Sequence, residues 1–344
     1  MQLPPPVHGA STMNQIVADS EVVASQFERS VIGLRFADSV ADLGRPALRK
    51  VLGATVVAMR LAEMLVRRRP DLVYLTLTLE GGAFYRDCIY VALIKLARVP
   101  HAFHLHMQPP RGPASRLVRW AVSRAHVIEL APGLGREVAR AGRSVLVVAN
   151  GIADVARPRT RGPGTPPRVL FLSHLSESKG PLVLLDALAA LAARGVRCHA
   201  TFAGADGGCL AKFEARVREL GLAGVVAYAG PVYGEAKSAL FATHDLFVLP
   251  SSNEAFPLVI LEAMMWSLPI VATSVGAVPA IAGDAAMLVP VGDADALAGA
   301  IETYLLDPGR RTADGARGRA RFLEHYTRTR FETDLTKALQ QCLA

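Results

Sequence analysis

Apolar residues recur along this chain in short runs separated by longer stretches of helical period. Runs of four to six β-branched and aliphatic residues near Val31–Phe36, Leu72–Thr76, Ala102–His106, Val127–Leu130 and Val145–Ala149 predict strands in the first half. Helical patterns lie between them, for example over Pro46–Arg68 and Phe84–Ala97. Asn150-Gly151 ends this series, and the Pro-, Gly- and Arg-rich stretch from Arg157 to Pro167 predicts a linker. The alternation then restarts, with strands at Arg168–Ser173, His199–Ala203, Val225–Ala229, Leu246–Leu249, Ile270–Thr273 and Met287–Pro290, and a helix over Pro181–Ala193. Strands alternating with helices predict parallel α/β sheets, one in each half. Arg317–Leu343 predicts continuous helix. The division expected is an N-terminal domain over 1–156, a C-terminal domain over 157–316 and a helical tail over 317–344. Met1-Gln2-Leu3 is too short for a central strand, so either the start of the chain lies upstream or the first sheet lacks a member.

Length agrees with two domains: 344 residues exceed one ordinary core. Four scattered cysteines, without a Cys-x-x-Cys pair, predict neither a zinc site nor a disulfide framework and fit a reducing cytosol. The longest apolar runs are broken by Arg60 and Lys95, well short of the roughly 20 residues a membrane span needs. The net charge of +8 is unevenly placed: residues 1–150 carry 19 Lys/Arg against 11 Asp/Glu, and residues 151–344 carry 19 of each. The basic excess gathers at Arg45, Arg49, Lys50 and Arg60, in the run Arg67-Arg68-Arg69, and at Arg111, Arg116, Arg119 and Arg124. It reads either as a solubilising surface or as a face for anionic lipid headgroups on the inner side of the membrane. No nucleic-acid partner is expected.

The candidate chemistry centres on Glu254-Ala-Phe-Pro-Leu-Val-Ile-Leu-Glu262, which follows the predicted strand Leu246–Leu249. Glu254 falls in the strand-to-helix turn, Pro257 suits the first helical turn, and Glu262 lies more than a turn inside the helix. The free N–H groups and positive dipole end of such a helix favour phosphate. A carboxylate on either side can accept hydrogen bonds from sugar hydroxyls, one from a hexose and one from a ribose, and phosphate between two sugars describes a nucleotide-sugar. Lys179-Gly180, after the strand Arg168–Ser173, supplies a cation for a leaving phosphate and a glycine that permits close backbone approach.

Glu254-Ala-Phe-Pro-Leu-Val through Glu262-Ala-Met, with Leu268-Pro-Ile-Val-Ala-Thr-Ser-Val-Gly276 after it, resembles the signature of the retaining family 4 (group 1) glycosyltransferases of GT-B fold. An isolated pair of glutamates at this spacing would read as a solvated helix face; the flanking strands and the Phe-Pro turn argue otherwise. The resemblance implies two Rossmann-like domains facing a central cleft, with the donor on the C-terminal domain and the acceptor on the N-terminal one. The tail either crosses back onto the N-terminal domain, as the resemblance implies, with Phe322, Tyr326 and Phe331 as anchors, or packs on its own domain. It further implies that Glu254 bonds hexose hydroxyls, that backbone N–H groups of Ala255, Phe256, Pro257 and Leu258 line the sugar and phosphate with Ser251, and that Glu262 holds the ribose. The nucleobase is placed between Ala229 and Tyr233, and Lys179 on the β-phosphate. The family's arginine five residues before that lysine is replaced by His174, which shifts phosphate contact toward Ser173 or Ser176. Gly9, in Pro4-Pro-Pro-Val-His-Gly9-Ala-Ser, resembles the family's N-terminal phosphate loop. His106, in Phe103-His-Leu-His106, stands where relatives direct a histidine at the donor sugar, the alternative being core histidines at 104 and 106. Ala277 and Ala280 depart from the family pattern.

These residues imply a retaining glycosyltransferase with His106, Lys179 and Glu254 as catalytic groups. It would move a sugar from a nucleotide-sugar to a hydroxyl acceptor, a glycan or lipid-linked one, in cell-envelope or exopolysaccharide synthesis. An epimerase of the same fold, or a transferase-like binding subunit, remains the alternative. Asp293-Ala-Asp295 resembles a metal-binding Asp-x-Asp but precedes a helix, where Asp293 suits the N-cap. No cofactor and no catalytic metal are expected.

Overall fold

The computed structural model describes residues 1–4, 8–34, 48–107, 115–157 and 166–344. The chain forms two compact units: Met1–Gly151 together with Arg328–Ala344, and Ile152–Thr327.

The first unit opens with α1 (Gly9–Asp19) and α2 (Glu21–Gln26), followed by α3 (Leu48–Arg67). A parallel sheet follows: β1 (Val73–Thr76), α4 (Gly81–Leu96), β2 (His101–Leu105), α5 (Arg116–Val122), β3 (His126–Glu129), α6 (Arg136–Ala139) and β4 (Ser144–Val147). Its strands lie in the order β1-β2-β3-β4. Residues of β2 and β3 are buried on both faces, which explains their continuous apolar runs. The strand expected at Val31–Phe36 is reduced, among the described residues, to a single parallel bridge between Gln2 and Leu34. Arg45 and Arg111 lie outside the described residues.

The second unit contains β5 (Arg168–Leu172), α7 (Pro181–Ala193), β6 (His199–Ala203), α8 (Leu210–Glu219), β7 (Val226–Gly230) and α9 (Gly234–Thr243). It continues with β8 (Leu246–Leu249), α10 (Leu258–Met265), β9 (Ile270–Thr273), α11 (Val278–Ala282), β10 (Ala286–Val289), α12 (Ala294–Leu306) and α13 (Pro308–His325). The sheet is parallel, in the order β10-β9-β8-β5-β6-β7. Its core joins Phe171, Leu184, Leu188, Phe202, Val248 and Tyr304. The chain runs outward from β5 to β7, then returns to β8 on the other side of β5. The crevice beyond the carboxyl ends of β5 and β8 is therefore the topological switch point where open α/β sheets receive ligands.

The tail differs from the continuous helix expected over 317–344. Helix α13 ends at His325, and α14 (Arg328–Leu343) begins three residues later in the first unit. The break is held by residues distant in sequence. Tyr326 O accepts from Ile152 N at 3.0 Å, Thr327 bridges Ile152, and the Tyr326 hydroxyl donates to Ala280 O. Phe322 and Tyr326 are accordingly buried in the second unit, whereas Phe331 is buried in the first, where α14 packs on α2. Among the described residues no helix is long and apolar enough to cross a membrane.

Candidate functional site

The loops leaving β5 and β8 are bound to each other. Ser252 N donates to Ser178 O at 2.8 Å, and Gly180 adopts φ 72°. A side chain on Gly180 would place its Cβ 2.1 Å from Pro250 O, so this close approach requires glycine. A single helical turn, Glu177–Lys179, delivers Lys179 to the crevice. Its Nζ lies 2.7 Å from Glu254 Oε1, and the same oxygen accepts from the Ser251 hydroxyl at 2.8 Å. Ser251 is held in turn by Thr273, whose hydroxyl donates to Ser251 O. Glu254 retains only 9% of its surface, so this carboxylate is fixed by a cation and a hydroxyl in a largely dry corner.

Helix α10 begins one residue later than expected, with Pro257 as its N-cap rather than its first turn. Ala255 O accepts from Ala277 N at 2.9 Å, which ties the Glu254 loop to the loop after β9. Phe256 is buried edge-on against Tyr326, with ring centroids 6.2 Å apart. Ala280, a departure from the family pattern, contributes its carbonyl: it accepts from Arg321 and from Tyr326.

Glu262 sits a turn into α10, and its Oε1 accepts from Lys237 Nζ of α9 at 2.6 Å. Burial raises the pKa of this carboxyl, and the Lys237 charge and hydrogen bond partly oppose the rise. Lys237 was not among the residues expected from sequence. It lies 25 positions from its partner, and only the fold, which brings α9 within side-chain reach of α10, joins them. Its proximity to the Ala229–Tyr233 segment was the one available signal.

His174 is exposed and Ser176 partly so, with the Ser176 and Ser178 hydroxyls 3.2 Å apart. Gly204, in the loop after β6, has φ 144°, and a Cβ there would lie 1.9 Å from Ser173 O. The second unit thus brings Lys179, Ser251, Glu254 and the Ala255–Leu258 backbone together at one sheet edge, with Glu262 and Lys237 alongside.

In the first unit, Gly9 is the first residue of α1, and His8 caps the helix by accepting from Ser11 N at 3.3 Å. His104 and His106 follow strand alternation to one side, with ring centroids 4.1 Å apart. The Tyr74 hydroxyl lies 2.6 Å from His104 Nδ1, a contact sequence gave no means to foresee. Burial pushes the His106 imidazole down to about 3, helped by the nearby His8 ring, and burial together with the His106 ring holds His104 well below its ordinary value. Both rings are neutral at ordinary pH. They can offer or accept a hydrogen bond but not a positive charge. A cavity of 590 Å³ in this unit, lined by Leu34, Val57, Leu61, Val73 and Tyr74 among others, is lined by neither Gly9, His104 nor His106.

Asp293 is the N-cap of α12 and accepts from Ala296 N at 2.8 Å, as its position before a helix suggested. Asp295 is exposed on the first turn. Among the described residues no three His, Cys, Asp or Glu side chains gather as metal ligands.

Residues 154–321 match the family model for glycosyl transferases group 1. A D-inositol 3-phosphate glycosyltransferase of Corynebacterium aurimucosum is 35% identical over 154 residues, which are 43% of this chain and 37% of that protein. The O-antigen chain mannosyltransferase B of Escherichia coli is 38% identical over 97 residues, 28% of this chain and 26% of its own length. The alignment therefore spans well under half the length of these curated relatives. Solved structures agree over far more of the chain. The Anabaena protein HepE in complex with UDP and glucose superposes with a TM-score of 0.76 at 22% identity, covering 99% of this chain and 98% of that one. A sucrose-phosphate synthase from Thermosynechococcus elongatus gives 0.76 at 18% identity, over 97% and 94%. At such identities the structural likeness speaks to fold: the chain has the GT-B fold of these neighbours, and residues 154–321, just under half of it, resemble the group 1 glycosyl transferases.

Proposed function

We propose that the protein is a retaining glycosyltransferase that moves a sugar from a nucleotide-sugar to a hydroxyl of a glycan or lipid-linked acceptor, in cell-envelope or exopolysaccharide synthesis, without a divalent metal. One observation carries the reading. At the switch point of the second sheet, Lys179 and Ser251 converge on Glu254, and a second lysine–carboxylate pair, Lys237–Glu262, lies a turn further along α10. A donor diphosphate at the start of α10 would take Lys179 as counter-charge. Its hexose hydroxyls would donate to Glu254 and its ribose hydroxyls to Glu262. The first unit, with His106 neutral, would supply the acceptor side.

In the transfer, the bond from the anomeric carbon to the phosphate oxygen breaks, and the acceptor oxygen bonds to the same face of that carbon. The departing phosphate takes the acceptor proton, so no protein carboxylate has to act as a covalent nucleophile. Lys179 and the N–H groups at the start of α10 would stabilise charge on the leaving phosphate, the role a metal ion fills elsewhere.

HepE is described in complex with UDP and with UDP-glucose, which makes uridine nucleotides the first probes. A thermal-shift screen of UDP-, GDP- and ADP-sugars tests the reading. A true donor at 100 times its dissociation constant should stabilise the protein by about 2.7 kcal/mol. Stabilisation without donor hydrolysis or transfer would indicate a binding subunit, and no shift with any nucleotide-sugar would refute the donor assignment.

A further inference from the structure

Helix α3 carries apolar residues on both of its faces. Val57, Leu61 and Leu65 are buried in the first unit's core. On the opposite side Leu52, Met59 and Val66, spaced seven apart and hence in line along the helix, are exposed. Helix α4 packs along α3 and repeats the arrangement: Phe84, Val91 and Ile94 face inward, while Tyr85, Ile89 and Leu96 face solvent. The strands β1, β2 and β3 are successive neighbours, so right-handed crossovers place α4 and α5 on one side of the sheet. There α5 adds Leu117 and Trp120, and Lys95 Nζ of α4 sits 4.8 Å from the Trp120 ring centre. Exposure of these outward side chains runs from 37% at Leu117 to 82% at Leu96. A helix apolar all round is normally covered, and contiguous exposed apolar surface marks an interaction site.

The charges around this surface select the partner. Arg60 and Arg67 are exposed on α3, as are Arg116 and Arg119 on α5, while Arg68 and Arg69, exposed just past the end of α3, also border the cavity on its inward side. The sole acidic side chain of described α3 is Glu63, paired with Arg67 at 2.8 Å. That of α4 is Asp87, buried against Arg86, and α5 has none. Apolar stripes with Tyr and Trp rings would suit a protein interface as well; the arginine excess, with the acidic side chains of these helices already paired, selects an anionic surface. At an anionic bilayer, apolar side chains enter the acyl boundary, aromatic rings sit at headgroup level, and arginines reach the phosphates.

We infer that the α3–α4–α5 face of the first unit is a bilayer-docking surface, combining shallow insertion of Leu52, Met59, Val66, Ile89 and Leu96 with arginine contacts to anionic headgroups. This goes beyond the basic face visible in the sequence, since insertion is specified by residues rather than by charge alone. It does not depend on the transfer reaction.

The test uses the full chain with phosphatidylcholine vesicles, with and without phosphatidylglycerol, at low and high salt. The chain has two tryptophans, and Trp266 is buried in the second unit, so a vesicle-induced blue shift of the emission reports Trp120 and should vanish in Trp120→Phe. Sedimentation should require phosphatidylglycerol and weaken with salt. The double variant Met59→Gln/Val66→Gln should bind roughly tenfold more weakly with an unchanged melting curve. The triple variant Arg67→Ser/Arg68→Ser/Arg69→Ser should lose most of the salt dependence. Absence of binding to anionic vesicles overturns the proposal, as does undiminished binding by the glutamine variant. A blue shift that grows with protein concentration alone also overturns it, because a second copy would then cover the face. None of these readouts needs a nucleotide, so a failed donor assignment leaves them interpretable.

Discussion

Removing Lys237 isolates the part of the site that sequence did not reveal. Glu262 is largely withdrawn from water, which raises its pKa, and Lys237 opposes that rise through its charge and its 2.6 Å hydrogen bond. In Lys237→Met the opposition disappears, and the Glu262 pKa moves further up. The sign of the consequence follows from the raised value. The carboxyl binds its proton more tightly folded than unfolded, so its contribution to stability is full below the unfolded pKa and is lost as pH rises through the folded one. Nucleotide binding runs the other way. Ribose hydroxyls are best received by the carboxylate, so UDP affinity should fall as pH drops through the Glu262 pKa. In Lys237→Met that fall should begin at higher pH. Well above the window, Glu262→Ala should lose the charge-assisted bond, about 1.5–3 kcal/mol or roughly ten- to 150-fold in Kd. Glu262→Gln should bind UDP weakly with little remaining difference between acid and neutral pH. Isothermal titration of wild type and the three variants across the acid-to-neutral range reads all of this, and titration of the UDP phosphate is common to every protein. Superimposable pH profiles for wild type and Lys237→Met, or unimpaired UDP binding by Glu262→Ala, would refute the ribose assignment.

Lys179→Met should lower transfer roughly 10²–10³-fold by leaving the departing phosphate without its cation, a loss read in kcat. Gly180→Ala combines a positive φ with a Cβ 2.1 Å from Pro250 O, so the two loops must part; about 1–3 kcal/mol of stability should be lost in urea melts, together with donor affinity. Activity should survive EDTA. Asp293→Ala should cost about 0.5–2 kcal/mol of stability as a lost N-cap while leaving kcat unchanged; chelation that abolishes turnover, restored by Mg²⁺ or Mn²⁺, would return Asp293 and Asp295 to the mechanism.

What could be read in the sequence is what local physics decides. Strand Leu246–Leu249 is apolar at every position because β8 is covered on both faces, and Pro250 closes it. Pro181 fixes the first turn of α7, and the predicted span Pro181–Ala193 is the one observed. Asp293 could be assigned to a cap because a short acidic side chain before a helical pattern has an N–H to receive. The tail could not be divided in this way. Between Arg317 and Leu343 there is no proline, and the one glycine, Gly318, lies inside α13, not at the break, where His325, Tyr326 and Thr327 are only mildly poor helix formers. The interruption at Tyr326 and Thr327 comes instead from Ile152 and Ala280, remote in sequence.

The two lysine–glutamate pairs show the same limit and suggest why the site is arranged so. Lys179 is 75 residues from Glu254, and Lys237 is 25 from Glu262. Periodicity can place each carboxylate on α10 or before it, but the partner depends on which strands lie side by side, and β5 meets β8 across the switch point. Each of these carboxylates has its own cation, so neither is left uncompensated in a low-dielectric corner, a state far more costly than the pair itself. A ligand carrying both phosphate and hydroxyls can replace each pair on both sides, giving the lysine an anion and the glutamate donors. A nucleoside offers hydroxyls without the anion, and inorganic diphosphate offers the anion without hydroxyls. The arrangement therefore predicts that UDP binds more tightly than the summed binding free energies of uridine and diphosphate would require after allowing for connection. Calorimetric measurement of all three ligands on wild type and Lys179→Met checks this. The excess should shrink in the variant, and an excess of equal size in both proteins would show that the ion pair plays no part in recognition.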